Sequence, residues 1–175
     1  MTEHLRPPAP GTDVVLVDAD ESWPEQYTRQ ESRIRTALGT AALEIHHAGS
    51  TAVPGLAAKP VLDVVLVVAD PADEAAYVPA LDAAGFLLHL RERNWHRHRL
   101  LRGQEPRVNL HVFGPGCEEV FRMLSFRDHL RHDRTDRALY ERTKRELAAR
   151  RWARVQDYAD AKSEVVTDIL GRALR

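Results

Sequence analysis

The hydrophobic residues of this chain follow two patterns, which divide it near residue 115. Before that point, apolar residues form short runs rich in Val, Leu and Ile, which are typical of strands. After it, they recur every three or four positions among charged residues, which is typical of helices. The predicted strands are 13–17, 43–47, 61–68, 86–90, 94–101 and 107–113, and the predicted helices are 23–38, 71–85 with a break at Pro79, 117–131, 135–150 and 155–174.

This order of elements indicates an α+β (α/β-like) fold, in which helices cover one face of a mixed β-sheet. Residues 13–175 are enough for a single domain with a substantial core. Three prolines within residues 1–12 indicate a flexible N-terminal arm. Ser22 and Glu25 have the spacing of a capping box at the start of the first helix, with Pro24 in its first turn.

The predicted strand at 61–68 carries an aspartate in an otherwise apolar run, which is typical of a strand buried on both faces. Burying a bare carboxylate is costly, so Asp63 requires a metal ion, a cation or several hydrogen-bond donors. Two interpretations are open. Asp63 holds a divalent cation at a phosphate site, or it bonds the amides of the preceding loop.

A turn of small residues, Gly49-Ser50-Thr51, follows the strand predicted at 43–47. Glycine allows a ligand to approach the backbone, and successive amides with the two hydroxyls can hold an anion. Lys59 adds a positive charge shortly before Asp63. On the first interpretation, this stretch forms a phosphate site at which Asp63 binds a cation that bridges to phosphate oxygens.

Four segments together resemble the GrpB family of bacterial proteins: HHAGSTAVPGLAAKPVLDVVLVV, RVNLHVF, FRDHL and YADAKSEVV. The resemblance extends from about residue 13 to the C-terminus. The GrpB family is similar to the DNA-polymerase-β-like nucleotidyltransferases, so the resemblance implies a nucleotidyltransferase-like fold. In those enzymes a Gly-Ser turn precedes a strand with two acidic residues, separated by one position, and a later strand supplies a third.

The resemblance also implies roles for individual residues. Gly49 and Ser50 match the turn, and Asp63 matches the first acidic residue, whereas Val65 and His111 stand where the second and third would be. Asp63 and His111 are therefore the implied catalytic and metal-binding residues, with Mg²⁺ as the expected metal and Zn²⁺ or Mn²⁺ as alternatives. The implied phosphate- or nucleotide-binding residues are Gly49, Ser50, Thr51, Lys59 and Arg127. Arg127 has a second interpretation, a structural ion pair with Asp128.

Histidines provide two further hypotheses. In the strand predicted at 107–113, side chains alternate between the two faces of the sheet, so His111 points away from the face that carries the apolar residues. We therefore expect His111 to lie within a few ångströms of Asp63. His96 and His98 are two residues apart on a predicted hairpin partner. With His111 they would form a three-histidine zinc site if the register brings them together, and otherwise they are surface histidines.

The charge and the cysteine content of the chain limit which classes of partner and which cellular compartment are expected. The formal net charge is −1, which gives no argument for nucleic acid. Arg122 to Arg154 holds eleven Lys or Arg against five Asp or Glu, which indicates either a solvated helical face or a wall that attracts an anionic ligand. The single cysteine, Cys117, forms no disulfide within the chain, and no run of residues is apolar enough to cross a membrane. A cytoplasmic location is expected, and the oligomeric state stays open.

Three functions are compatible with these residues. The first is a metal-dependent nucleotidyltransferase with an incomplete acidic triad, acting on a nucleotide or a phosphorylated small molecule. The second is a binding module that holds such a ligand without turnover. The third is a hydrolase on the same fold that uses a metal held by His111 and Asp63.

Overall fold

The computed structural model describes residues 2–5, 14–153 and 155–175, except for the side chain of Val155. The strands are β1 Thr2–His4, β2 Glu44–Ala48, β3 Leu62–Val67, β4 Leu87–Glu92, β5 His98–Gln104 and β6 Arg107–Phe113. The α-helices are α1 Trp23–Leu38, α2 Val78–Ala83, α3 Glu118–His132, α4 Arg134–Ala148, α5 Val155–Asp160 and α6 Ser163–Ala173. The predicted α+β class is confirmed.

The strands form one mixed sheet in the order β1-β4-β5-β6-β3-β2. β3 and β6 are parallel, and the other neighbours are antiparallel. The register places Asp63 opposite Asn109 and Val65 opposite His111. Because side chains alternate along a strand, these four residues share one face of the sheet. The prediction that His111 and Asp63 lie on the same face is confirmed.

Helices α1 and α2 cover the other face and form the larger core. Ile34 of α1 and Leu81 of α2 pack with Val64 and Leu110, and all four side chains are fully buried. Pro79 stands in the first turn of α2, after a short 3₁₀ turn at Glu74–Ala76, so the predicted break in this helical segment is confirmed.

The face that carries Asp63 is also covered, by helix α3. Val120 packs there against Val65, Val67 and Phe113. The expectation that helices cover only one face is therefore wrong. The reason lies in β3, whose apolar residues occur at consecutive positions, so that both of its faces need a helix to exclude water.

Helices α4 and α6 pack over the loop that joins β2 to β3. Val53 and Leu56 of this loop form one apolar cluster with Leu130, Tyr140 and Ile169. The long C-terminal helix predicted at 155–174 is wrong, because α5 packs its Tyr158 into a different cluster from α6. The turn between α5 and α6 positions Lys162.

Three further boundaries differ from the prediction. Thr2–His4 pair with β4 as an edge strand, so these residues are not a loose arm, and residues 6–13 lie outside the described part. The described residues of the strand predicted at 13–17 form no strand, and only Val17 makes an isolated β-bridge, with Ala58. β5 begins only at His98, because residues 93–97 form the turn that precedes it.

The start of α1 is correct, but its capping box is not formed. The Ser22 side chain makes no capping bond, and its Oγ instead accepts a hydrogen bond from Gln26 Nε2. Asp20 accepts from the Ser22 amide at 2.8 Å. Among the described residues, no helix has both the length and the apolar character that crossing a membrane requires.

Asp136 ties the C-terminal helices together. It is almost fully buried on α4, and it accepts two hydrogen bonds from Arg172 of α6, at 2.7 and 2.8 Å, and one from His129 of α3 at 2.7 Å. The bonds from Arg172 are the main reason why the pKa of Asp136 lies below its usual value.

We expect Asp136→Ala to lower the free energy of unfolding by about 2 kcal/mol at pH 7, because charged hydrogen bonds are lost and Arg172 is left unpaired. Glu25→Ala is the control, since it removes a carboxylate from an exposed pair with Arg29 and is expected to cost about 0.4 kcal/mol. Urea denaturation of both variants measures the difference. Equal losses would show that Asp136 does not hold the helices together.

Candidate functional site

The glycine turn after β2 leads the chain directly over Asp63. Ala48, the last residue of β2, pairs with Asp63, and Gly49 follows with φ 67° and ψ −169°, a conformation essentially reserved for glycine. A Cβ atom at Gly49 would collide with the Asp63 carboxylate. The turn therefore needs glycine both for its backbone angles and for the close approach of this carboxylate. The predicted strand–turn arrangement is confirmed.

Asp63 is held by two side chains of β6. Asn109 Nδ2 donates to its Oδ1 at 3.0 Å, and Nε2 of His111 lies 3.6 Å from the same oxygen. Burial alone would raise the pKa of Asp63, but His111, Asn109 and the charge of Lys59 together bring it below its usual value. The predicted proximity of His111 is confirmed, and Asp63 is a carboxylate with a fixed orientation.

An open cavity of about 300 Å³ lies in front of the turn and Asp63. Its polar lining combines the glycine turn, one carboxylate, one amide and three lysines, which come from the β2–β3 loop, α4 and the α5–α6 turn. The residues that carry these groups are Gly49, Ser50, Thr51, Asp63, Asn109, Lys59, Lys144 and Lys162. Aromatic side chains of Phe126, Tyr140 and Tyr158 complete much of the wall.

Lys144 joins helix α4 to the turn. Its ammonium donates to Ser50 Oγ at 3.1 Å and to the carbonyl oxygen of Ala57, and it lies 4.8 Å from the centre of the Tyr140 ring. Only 2% of the residue is exposed. Burial, with a smaller contribution from the charge of Lys162, lowers the pKa of Lys144 to about 7. Near neutral pH both the charged and the uncharged form of this lysine are therefore populated.

Lys59 and Lys162 lie at the Tyr158 ring, with their Nζ atoms 5.6 and 4.7 Å from its centre. Burial lowers the pKa of both lysines, and the charge of Lys162 lowers that of Lys59 further. The Tyr158 hydroxyl is the buried side-chain polar atom that has no hydrogen-bond partner within the described residues. Such an atom is costly unless a ligand or water bonds it.

Not all of the predicted phosphate-binding residues offer a free group to the cavity. Thr51 lines it, but its hydroxyl is bonded to His47 Nε2 at 2.9 Å, and both residues are buried. Arg127 is absent from the lining. It donates twice to Asp128, at 2.7 and 2.9 Å, and once to the carbonyl oxygen of His47 at 2.8 Å. These contacts support the structural interpretation of Arg127.

The three-histidine zinc site is not formed. His96 lies on the exposed turn before β5 with φ 49°, so it does not share the strand face that the prediction requires. His98 does face His111, with 3.2 Å between His98 Nε2 and His111 Nδ1. Within the described residues, the grouping of three with metal-ligand spacing is His129, Asp133 and Asp136, and Arg172 already occupies Asp136.

The residues around Asp63 do not fit a two-metal centre. Such a centre needs several carboxylates, whereas Val65 and His111 occupy the positions facing one another beside Asp63. Asp63 Oδ1 already accepts from Asn109, and three lysines line the same cavity. At most one ion would find ligands here, on Asp63 and His111, and the assignment of these two as catalytic and metal-binding residues stays a prediction.

Lys144 was not predicted as a site residue, because it is one of many charged residues in the sequence of α4. A signal was present, since Lys144 stands four residues after Tyr140 and three before Leu147, on the apolar stripe of the helix. All three residues are buried. The remaining bases of the segment from Arg122 are mostly exposed or ion-paired, so the solvated-face interpretation holds for most of it.

Comparison with known proteins decides the family. The model of the GrpB protein family matches residues 13–172. The chain belongs to the GrpB family. A UPF0157 protein of Halalkalibacterium halodurans is 49% identical over 160 residues, 91% of this chain and 82% of that protein. Another, of Streptomyces coelicolor, is 48% identical over 161 residues, 92% of this chain and 84% of that protein.

Two solved structures and one enzyme extend the comparison. GrpB from Enterococcus faecalis superposes with a TM-score of 0.80 at 25% identity, over 91% of this chain and 97% of that one. A cytoplasmic RNA terminal U-transferase gives a TM-score of 0.50 at 14% identity, over 71% and 38%. The GrpB chain thus has a nucleotidyltransferase-like fold. Dephospho-CoA kinase of Mycolicibacterium paratuberculosis is 43% identical over 76 residues, 42% of this chain and 19% of that enzyme.

Gly49→Ala tests the close approach of the turn to Asp63. Gly55→Ala is the matched control, because Gly55 also has a positive φ, of 75°, but has open space where a Cβ would stand. We expect Gly55→Ala to cost about 1 kcal/mol of unfolding free energy for backbone strain. Gly49→Ala should cost about 2 kcal/mol more, because the Asp63 carboxylate must move. Similar urea midpoints for the two variants would contradict this packing.

Proposed function

We propose that this GrpB protein binds a phosphorylated small molecule, a nucleotide or a related phosphometabolite, in the cavity in front of Asp63. The observation that carries the proposal is the convergence of Lys59, Lys144 and Lys162 on one cavity that begins at a glycine turn. Three lysines with a single carboxylate among them give the cavity an excess of positive charge. A phosphate group is the common metabolite group that matches such an excess.

The electrostatic cost of this arrangement supports an anionic ligand. The three lysines are partly or fully buried, and each has a lowered pKa, so their charges are poorly compensated without a ligand. A dianion between them would favour the charged forms and restore hydrogen bonds that burial has removed.

The dimensions of the cavity limit the ligand. A volume of about 300 Å³ stands at the lower end of the range for small-molecule sites. This size suits a phosphate group with an attached sugar better than a fully enclosed nucleoside triphosphate. The cavity is open, so a base or another group would extend toward solvent.

Two relationships favour a nucleotide among phosphorylated molecules. The RNA terminal U-transferase is named for the transfer of a nucleotide unit, and the similarity to it concerns the fold. The dephospho-CoA kinase is named for a substrate that contains a nucleotide, and part of it is related to this chain in sequence. Both support a nucleotide as the first ligand to test.

Lys162→Met tests the proposal directly. We expect the affinity for pyrophosphate, measured by isothermal titration calorimetry, to fall at least tenfold, or about 1.4 kcal/mol, because one charged contact is lost. Arg127→Met removes the same charge from a residue outside the cavity lining and should change the affinity less than twofold. Melting temperatures report whether both variants stay folded. A larger loss in Arg127→Met than in Lys162→Met would contradict the proposed site.

Proton uptake provides an independent test through Lys144, whose pKa of about 7 leaves it largely uncharged at pH 8. A bound anion favours the charged lysine, so binding of sulfate, which does not titrate in this range, should take up close to one proton. By the same linkage, sulfate affinity should fall as the pH rises from 7 to 9.

Calorimetry in two buffers of different ionisation enthalpy, Tris and HEPES, measures this uptake. Lys144→Met should reduce it, since Lys59 and Lys162 are then the only cavity lysines that remain to be charged. Binding of sulfate with no proton uptake in the unaltered protein would show that the bound anion does not change the protonation of Lys144.

Metal-dependent nucleotidyl transfer is the second candidate function, favoured by the match of Asp63 to the first acidic residue and by its distance of 3.6 Å from His111. The lysines supply positive charge without a metal, so we expect ATP binding to persist in EDTA. A strict requirement for Mg²⁺, lost in Asp63→Asn, would support the transferase instead. Calorimetric titration of ATP with Mg²⁺ or with EDTA distinguishes the two.

A further inference from the structure

Ser50 of the glycine turn and Lys144 of α4 form a hydrogen-bonded pair in the wall of the cavity. Lys144 Nζ lies 3.1 Å from Ser50 Oγ, and both residues line the cavity. The carbonyl oxygen of Ala57 accepts a second hydrogen bond from the same nitrogen. A serine within hydrogen-bond reach of a base that a third group orients is the arrangement of an activated nucleophile. The function proposed above gives the Ser50 hydroxyl no part in a reaction.

Lys144 differs from the other two cavity lysines in its surroundings. Its Nζ lies 4.8 Å from the centre of the Tyr140 ring, and only 2% of the residue is exposed, so packing holds it against the serine. Lys59 and Lys162 instead lie at the Tyr158 ring. A buried lysine whose uncharged form is populated near neutral pH can accept the proton of a hydroxyl beside it. The three lysines therefore divide into two that bind an anion and one that is placed to act on Ser50.

The phosphate site limits which atom Ser50 can attack. Attack on phosphorus requires the charge of the phosphoryl oxygens to be neutralised, which enzymes achieve with metal ions that bridge them. The residues around Asp63 do not fit a two-metal centre. Attack on a carbonyl carbon attached to the phosphate avoids these oxygens. Met123, Phe126 and Val166 add an apolar part to the cavity lining, which suits the carbon chain of an acyl group.

We propose that Ser50 is a nucleophile with Lys144 as its general base, and that it takes the acyl group from an acyl phosphate whose phosphate is bound by Lys59 and Lys162. This inference rests on the proposed function, because the phosphate positions the substrate. It names the substrate class as mixed anhydrides of a carboxylic acid and a phosphate, which include acyl nucleotides.

The reaction has two steps. In the first, Ser50 Oγ bonds to the carbonyl carbon and the bond from this carbon to the phosphate oxygen breaks. The serine proton passes to Lys144 and from there to the departing phosphate, which keeps the electron pair of the broken bond. In the second, water attacks the serine ester and gives a proton to Lys144, which returns it to Ser50 Oγ as the carboxylic acid leaves.

Both steps place negative charge on the carbonyl oxygen, which needs hydrogen-bond donors. The backbone amides of Ser50 and Thr51 donate to no backbone carbonyl among the described residues. They are therefore available as donors to this oxygen. The glycine turn then supplies both the nucleophile and the groups that stabilise the charge that its attack creates.

Acetyl phosphate is a small probe of this class. Incubation with the full chain, acid quenching and peptide mapping by mass spectrometry should show an acetyl group on Ser50. Ser50→Ala should slow the release of inorganic phosphate at least about a hundredfold. Ser32→Ala is the control, because it removes an exposed serine of α1 and should leave the rate unchanged. A phosphoryl group on Ser50, acetyl groups on lysines alone, or an unchanged rate in Ser50→Ala would overturn the proposal.

Lys144→Arg separates the base from its charge, because a guanidinium is positive but does not give up its proton. We expect phosphate release to slow at least about a hundredfold in both Lys144→Arg and Lys144→Met. Pyrophosphate affinity should fall less in Lys144→Arg than in Lys144→Met. Melting temperatures report whether the variants stay folded. A folded Lys144→Arg that keeps the rate of the unaltered protein would show that Lys144 is not the base.

The rate should depend on pH through Lys144. Charged groups of α4, of the α5–α6 turn and of the rest of the cavity lining surround it: Glu141, Arg145, Lys162, Lys59 and Asp63. Burial and then Lys162 lower the pKa of Lys144, whereas a bound phosphate raises it. Only the uncharged lysine accepts a proton, so phosphate release at saturating acetyl phosphate should rise from pH 7 to pH 9. A fall over this range, after subtraction of the rate in Ser50→Ala, would contradict the role of Lys144 as base.

Pyrophosphate binding separates this inference from the function on which it rests. If the unaltered protein does not bind pyrophosphate, the proposed function fails and the inference fails with it. If pyrophosphate binds but acetyl phosphate persists and Ser50 carries no acetyl group, the inference alone fails.

Discussion

The contact between the Asp63 carboxylate and the bare backbone of Gly49 is the constraint on which the rest of the site depends. Gly49 occupies a conformation open only to glycine, and any side chain there would push Asp63 away. This contact sets where the loop after β2 begins, and α4 and α6 pack on that loop. The position of the lysines therefore follows from a glycine and an aspartate on adjacent strands.

The charged residues around Asp63 differ from those that a two-metal active site needs. One carboxylate remains, with valine and histidine where further acidic residues would be needed. In their place, three lysines come from three separate parts of the chain to one cavity. A cavity of this kind has positive charge without a bound cation, and it suits the binding of a phosphate group whether or not a reaction follows.

The sequence predicted the parts of the site that depend on local pattern. The glycine turn, the strand that carries Asp63 and the facing of His111 all follow from spacing along one segment. Lys144 and the break at Lys162 did not follow, because they depend on how separate helices pack against the β2–β3 loop. The turn at His96 was missed for a related reason, since residues 94–97 were predicted as strand, whereas His96 and Arg97 adopt positive φ angles in the turn before β5.

Anomalous diffraction from crystals soaked with tungstate, a heavy analogue of a phosphate-like anion, tests the central claim most directly. The account predicts one strong peak in the cavity, within hydrogen-bonding distance of Lys59 and Lys162 and close to the Tyr158 ring. Absence of a peak there, with the anion bound instead along the arginines of α3 and α4, would contradict it.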